Sequence, residues 1–505
     1  MREHHVRVFR SSENLPVEDQ LAWRIALFAT QARDVSEPAA DMVSCRLVDN
    51  AAVALAALHR HPVATARRQA LCHRRARGAG LFGLASEVGV HAEWAAWANA
   101  TAVRELDYHD TFLAADYAHP GDNISPLIAV AQQCGCAGDR LLRAILVAYE
   151  VHVALVKAIC LHGHKKDHVA HLAPATVAGI GALLGLPTEV VYQAINQAVH
   201  LAFSTRQSRK GEITSWKAFV PGFSGKLAIE AVDRAMRGEA APNPIYEGED
   251  SVIAWMLDGP AAEYIVRLPG PDEPADAILE TYTKAHSAEY QAQALIDLAF
   301  EVAGEVNLDG VAEIVVHTSH HTHHVIGTGA NDPQKSSPEA SRETLDHSIT
   351  YLLAVALEDR GWDHLASYPP ARTVRPSTLA LWRKIRTVED PEWTRRYNDP
   401  DPAKRAFGGR MEFVQKDGRR HVAEKSVADA HPNGARPWAW PNYVGKFDRL
   451  ALAACGAAER DRFIEMARSL AVLSPDDVRQ LHPVLPDSDS VVMQSDRHGI
   501  FDYPR

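Results

Sequence analysis

Apolar positions recur at helical spacing through most of the first half of the chain. Leu21, Ile25 and Phe28 follow Pro16 at intervals of three and four, which puts them on one face of a helix. Ser36, Glu37 and Pro38 form a start signal for a helix reaching to about residue 58. The Ser hydroxyl can accept an unpaired N–H of the first turn, and Pro suits a position whose own N–H would have no partner. The stretches 91–106 and 138–160 continue the pattern, and Ser125 with Pro126 opens a helix between them. Gly185 and Pro187 punctuate the next pair of helices, with Thr188 as cap of the second. No period-two alternation of the strand type is visible before about residue 265.

The pattern then changes. LPGPDEP at 268–274 is a Pro-rich break. Beyond it the spacing predicts a helix over 287–302, a strand at Ile314, Val315 and Val316, and a helix over 343–357. Two short strands, 411–415 and 420–424, flank Asp417 and Gly418, and Asp-Gly between such runs is a hairpin signal. Helical spacing returns over 446–457 and 460–473. The expected fold is therefore mainly α: a large all-helical domain, residues 1–268 and 428–505, interrupted by a smaller α+β lid domain, residues 269–427.

Composition narrows the function classes. The chain has 505 residues, 46% apolar and 23% charged, which is ample for a large core. A net charge of −11 argues against a nucleic-acid partner, which needs a basic face. The N-terminal MREHHVRVFRSSENLPVEDQ lacks the apolar centre of a signal peptide. The most apolar stretch, 168–186, is interrupted by two His and a Pro and reads as a buried helix, so no membrane partner and a cytoplasmic location are expected. Six scattered Cys suit free thiols in a reducing compartment. The one close pair, Cys134 and Cys136, has no third Cys nearby, so an iron–sulfur cluster is not expected.

Three segments hold candidate chemistry. In 106–123, LDYHDTFLAADYAHPGDN, Asp107 and Thr111 would share a face if the segment were helical, with Asp110 close by. His119 precedes Pro120, where the chain should leave regular structure for a loop. The plainer reading is that Asp107 and Thr111 cap a helix end and His119 fills a turn. In 205–217, TRQSRKGEITSWK, four cations (Arg206, Arg209, Lys210, Lys217) outnumber one acid (Glu212), a local +3 on an acidic protein. Arg209 could grip a carboxylate with two N–H groups, and Lys217 offers a point charge; the plainer reading is a solvated basic turn. The run HTSHHTHH at 317–324 invites a metal reading. It lacks the defined spacing and the Cys or acidic partners of a zinc site, so no metal is expected; a place on the lid surface or at an interface is, with substrate contact as the alternative. If the preceding strand continued, His317, Ser319, His321 and His323 would share one face.

Those first two segments, together with KAHSAEYQAQ at 284–293 and RETLDHS at 342–348, occur in the order found in the 2-methylcitrate dehydratase (MmgE/PrpD) family, which the chain resembles over nearly its whole length. The resemblance implies a helical body with a lid, a homodimer, and a cofactor-free hydro-lyase. Its substrate would be a small tricarboxylate, 2-methylcitrate, dehydrated to 2-methyl-cis-aconitate in propionate catabolism. Asp107, His119 and Lys217 match catalytic positions. Thr111, Arg209, Lys210 and Lys284 are assigned to substrate binding, and so is His168, although the relatives' His before the helix near Pro174 has no exact match here and His171 is the other nearby candidate. His119 is taken as the group that moves protons and Asp107 as its partner, with the choice of base left open. Arg342, Asp346 and His347 are read as anchors for the lid or dimer. Where some relatives have a His five positions after the lid Lys, this chain has Glu289. The alternatives are a related polycarboxylate lyase or isomerase, such as a cis-aconitate decarboxylase, and a non-catalytic helical interaction protein.

Overall fold

The computed structural model describes residues 1–486 and 499–502. Helices at Leu21–Thr30, Glu37–Ala57, Ala92–Glu105, Ile124–Cys134, Gly138–Ala158, Leu172–Leu184, Thr188–Ala202 and Trp216–Met236 bury their apolar faces in one core. That core spans residues 6–278 and also takes in apolar side chains from 443–485, among them Phe447, Phe463 and Leu470. Small residues set the packing. Of the Glu37–Ala57 helix, Ala39, Ala51, Ala52, Ala54 and Ala57 are all buried, so neighbouring backbones approach closely. The helix begins as expected, with Ser36 Oγ accepting from the Ala39 N–H at 3.3 Å. Where Ala92–Glu105 crosses Trp216–Met236, a Cβ on Gly222 would stand 2.7 Å from the Trp97 carbonyl oxygen. Only glycine permits that crossing. Among the described residues no single helix is long and apolar enough to cross a membrane.

A second core, residues 288–413, is built on a four-stranded sheet. Its strand order is Ile385–Glu389, Val311–Thr318, Gly409–Gln415, Arg420–Lys425. The first pair is parallel and the other two are antiparallel. The helices Tyr290–Val302, Ile349–Asp359 and Pro376–Trp382 cover it. The Asp417-Gly418 hairpin is present, with Gly418 at φ +87°. A smaller apolar cluster joins Phe112, Leu113, Val153 and Val156 to Tyr290, Tyr397 and Phe407, and so links segments of the two cores.

Several local expectations are corrected. Strands do precede residue 260: Arg2–Arg7 pairs antiparallel with Glu263–Leu268, and Arg74–Ala79 is extended. Neither shows an apolar alternation, because Val6 is the one buried residue of the first and Ala79 the one of the second. Pro187, not Thr188, holds the cap position of Thr188–Ala202. The helix expected over 343–357 is two, Arg342–Leu345 and Ile349–Asp359, with Ser348 capping the second through the Tyr351 N–H. The strand before the His run stops at Thr318, and Ser319 caps a helix, His320–Val325.

Candidate active site

The site begins where a helix is broken. Ala92–Glu105 ends at Leu106, and Asp107 sits at φ +49°, in the left-handed region. Asp107 and Thr111 are therefore not on one helix. A non-glycine residue there costs about 1–2 kcal/mol, and the contacts Asp107 makes offset it. Its carboxylate accepts from Lys284 Nζ at 2.6 Å and Arg104 Nη1 at 3.0 Å, and lies 3.2 Å from Lys217 Nζ. Its main-chain oxygen takes a second bond from Lys284 at 3.1 Å. Burial alone would raise this carboxyl; Lys217, Lys284 and Arg104 reverse that and hold it well below the usual carboxylate range. Lys217 is also hydrogen-bonded to Asp346 at 3.0 Å, and Asp346 bonds His347 and Arg342. Four cations (Arg104, Lys217, Lys284, Arg342) thus face two carboxylates. The excess is positive on a protein of net charge −11.

The Gly222 crossing is what sets these charges side by side. Lys217 lies in the first turn of one helix and Arg104 in the last turn of the other.

Across from them stands His119. Its Nδ1 is 2.8 Å from the Asp110 carbonyl oxygen. A carbonyl only accepts, so Nδ1 holds the proton and the neutral ring keeps its lone pair on Nε2. Burial, with Arg104 and Lys284 nearby, keeps the imidazole from taking a second proton until well below its ordinary range. Asp110 is itself fixed. Tyr149 donates to its Oδ2 at 2.7 Å and the Gly121 N–H to its Oδ1 at 2.8 Å. A Cβ on Gly121 would meet that Oδ1 at 2.6 Å, which explains a glycine after Pro120.

Arg209 and His168 supply donors with no partner. Arg209 faces Asp167 through Nε and Nη2, both at 3.4 Å, while its Nη1 is buried without a hydrogen bond. Both ring nitrogens of the buried His168 are also unpartnered, as is Arg104 Nε. Buried polar atoms are rarely left so. Together with Asp107, Thr111, Tyr117, His119, Arg206, Glu289, His321 and His347 these residues line one cleft. It holds about 420 Å³ of empty space, of which about 20 Å³ can take the centre of a water molecule. That is room for about one or two waters, so the cleft is narrow.

Five of the expected residues, Asp107, Thr111, His119, His168 and Arg209, line this cleft. Lys217 and Lys284 lie one layer beneath, reaching it through Asp107. Lys210 does not join them. It is half exposed and bonds Asp332 and the Ala330 carbonyl, both at 2.6 Å, so here it ties two loops together away from the cleft. Nor does Asp107 partner His119: the main chain of Asp110 does. Thr111 spends its hydroxyl proton on the Ala118 carbonyl at 3.0 Å. Arg104 and Tyr117 carry no signal in the sequence, His321 reads there only as part of the His run, and Asp346 and His347 only as anchors.

Two family models cover most of the chain: the MmgE/PrpD N-terminal domain matches residues 19–265 and the MmgE/PrpD C-terminal domain residues 286–471. The chain belongs to the MmgE/PrpD family. Within it, the chain is 26% identical over 341 residues to the mitochondrial 2-methylcitrate dehydratase of Yarrowia lipolytica, covering 63% of this chain and 62% of that one. It is 27% identical over 339 residues to the 2-methylcitrate dehydratase of Cupriavidus necator, 63% and 66% of the two chains. With the Escherichia coli K12 2-methylcitrate dehydratase it is 24% identical over 399 residues, 74% and 77%. The matches to the first two span just under two thirds of those relatives' length. All four segments that carried the resemblance lie inside the two MmgE/PrpD matches or at their boundary.

The neutral imidazoles of this MmgE/PrpD site give a pH dependence of stability. Burial, then Lys217, brings His347 down to about 4, and burial brings His321 down to about 3. An unfolded imidazole takes its proton near 6.5, while the folded one refuses it until lower pH. The unfolded state then binds more protons, so stability is full above 6.5 and falls as pH drops towards 4. Chemical denaturation across that window checks this; a flat midpoint would refute it.

Proposed function

We propose that the protein is a 2-methylcitrate dehydratase, working without a cofactor on a small tricarboxylate. The observation that supports the reading best is the set of unpartnered buried donors on Arg209, His168 and Arg104 beside a neutral His119. Such donors suit substrate carboxylates, and an imidazole with a free Nε2 suits proton abstraction. His119 Nε2 takes the proton next to a carboxylate. The electron pair moves towards that carboxylate, where Arg104, Lys217 and Lys284 stabilise the growing charge. The C–O bond then breaks, the double bond forms, and the hydroxide leaves as water with a proton from an acid. Lys217 and Lys284 act through Asp107, as positioning and field-setting groups.

Glu289 suits the acid. It lines the cleft at the head of Tyr290–Val302, and burial raises its carboxyl to about 7 against the pull of Lys284. It can therefore hold a proton at neutral pH, as a general acid must.

Residues 269–427 act as a lid in this reading. The narrow cleft must widen before a tricarboxylate enters. Homodimeric assembly in the cytoplasm belongs to the same proposal. Incubating purified protein with 2-methylcitrate should give an unsaturated tricarboxylate, seen by ultraviolet absorbance and NMR. Release of carbon dioxide from cis-aconitate in its place would move the protein to the decarboxylases, and no turnover of either would leave a binding scaffold. Glu289→Gln should lower kcat by about 10²-fold. It should also remove the fall in rate above pH 7 that loss of its proton causes. A mutant keeping that alkaline limb would clear Glu289 of the role.

A further inference from the structure

The His run holds a second cluster that the dehydration site does not use. His320 and His324 are one helical turn apart on His320–Val325, on the same face, with ring centroids 4.3 Å from each other. Glu389 ends the strand Ile385–Glu389, whose parallel register with Val311–Thr318 sets Glu389 opposite Thr318. That register brings its carboxylate to the start of the helix. Glu389 Oε2 lies 2.9 Å from His320 Nδ1 and 3.3 Å from His324 Nε2. One ligand atom from each of the three residues lies within 4.8 Å of the others.

We propose that His320, His324 and Glu389 form a binding site for a divalent transition metal, zinc by preference, on the outer surface of the second core. The proton arrangement supports it. His324 Nδ1 is 3.1 Å from the Gly329 carbonyl oxygen, which can only accept. Nδ1 therefore holds a proton, and Nε2 is turned towards a carboxylate oxygen of Glu389. Nε2 and Oε2, 3.3 Å apart, can share one cation, with His320 Nδ1 as its third neighbour. A backbone carbonyl orienting the far nitrogen is the usual outer-shell support of a metal-bound His. The carbonyl is held in place: the Thr328 N–H and hydroxyl both bond Thr387 of the strand that carries Glu389. Two imidazoles and one carboxylate, with bonds of about 2.0–2.2 Å and water in the fourth position, are a zinc donor set. His321, between the two ligands, turns instead into the dehydration cleft.

The bound ion would pin the helix to the strand edge. It takes no part in the dehydration chemistry, and the proposal does not rest on that activity. The test is calorimetric titration of Zn²⁺ into metal-stripped full-length protein, with Co²⁺ as a visible probe. Wild type should take up one equivalent with a tetrahedral Co²⁺ spectrum. His324→Ala and Glu389→Gln should each weaken uptake at least tenfold. Both residues are exposed, so circular dichroism should be unchanged in the variants. Uptake that is equal in wild type and both variants would place the ion elsewhere, for example at Asp107, Asp346 and His347, and overturn the proposal. So would no uptake at all, which would mean that a proton alone bridges His324 and Glu389.

Discussion

His119→Ala is expected to lower kcat by about 10²–10⁴-fold, the range a positioned acid–base group supplies, while the protein stays folded. The reason lies in how the ring is held. Its single hydrogen bond is Nδ1–H to the Asp110 carbonyl, worth about 1 kcal/mol net. The ring is neutral, so its removal leaves no unpaired charge in the interior. Asp110 keeps its bonds to Tyr149 and Gly121, so the loop after Pro120 keeps its shape. Substrate affinity, which the proposed function assigns to the Arg209 and His168 donors, should change far less than turnover. Steady-state kinetics beside a thermal melt decides the matter. Full activity in the mutant removes His119 from the mechanism, and a melt that collapses in step with activity makes it a packing residue.

Lys217→Met should behave differently, with both activity and stability falling. Lys217 is buried between two carboxylates, 3.2 Å from Asp107 and 3.0 Å from Asp346. Removing one partner of a buried ion pair typically costs about 3–5 kcal/mol, because the remaining charge has lost its compensation. Asp107 still has Lys284 and Arg104; Asp346 is left with Arg342 and His347. Activity should fall by about 10²-fold or more, since a stabiliser of the developing charge is gone. The double variant Lys217→Met, Asp346→Asn separates the two effects. It should regain much of the melting temperature and none of the rate. If activity returned with stability, Lys217 would be structural and the charge argument would fail.

The sequence pattern made the helical first core and the Asp417-Gly418 hairpin legible, because both are governed by local spacing and turn chemistry. It missed the strand Arg2–Arg7, whose partner lies more than 250 positions away and whose single buried residue, Val6, makes no pattern. For the His run the error was one of period. Ser319 can cap a helix as readily as it can extend a strand, and only the packed structure chooses. In the site, residue types were readable but roles were not. Asp346 stood in a recognised segment, yet its meaning depends on Lys217, 129 positions earlier. Lys210 shared a basic run with Arg209, and the backbone sent the two side chains in different directions. Asp107 looked like half of a catalytic pair, and its left-handed backbone turned it to three cations instead.

Gly222 bears on any attempt to give this scaffold a new substrate. Engineers choosing positions to vary start with the walls of a cleft, and the walls here are side chains that can be exchanged one at a time. The glycine is nowhere near that list, yet it works as the spacer of the whole device. It lies about a turn and a half beyond Lys217, against Thr101, which is a turn before Arg104. A methyl group there would push two helices apart and stretch the distance between their charges, so a library that spares the cleft but varies the helix crossing would retune the site without altering one residue of its walls.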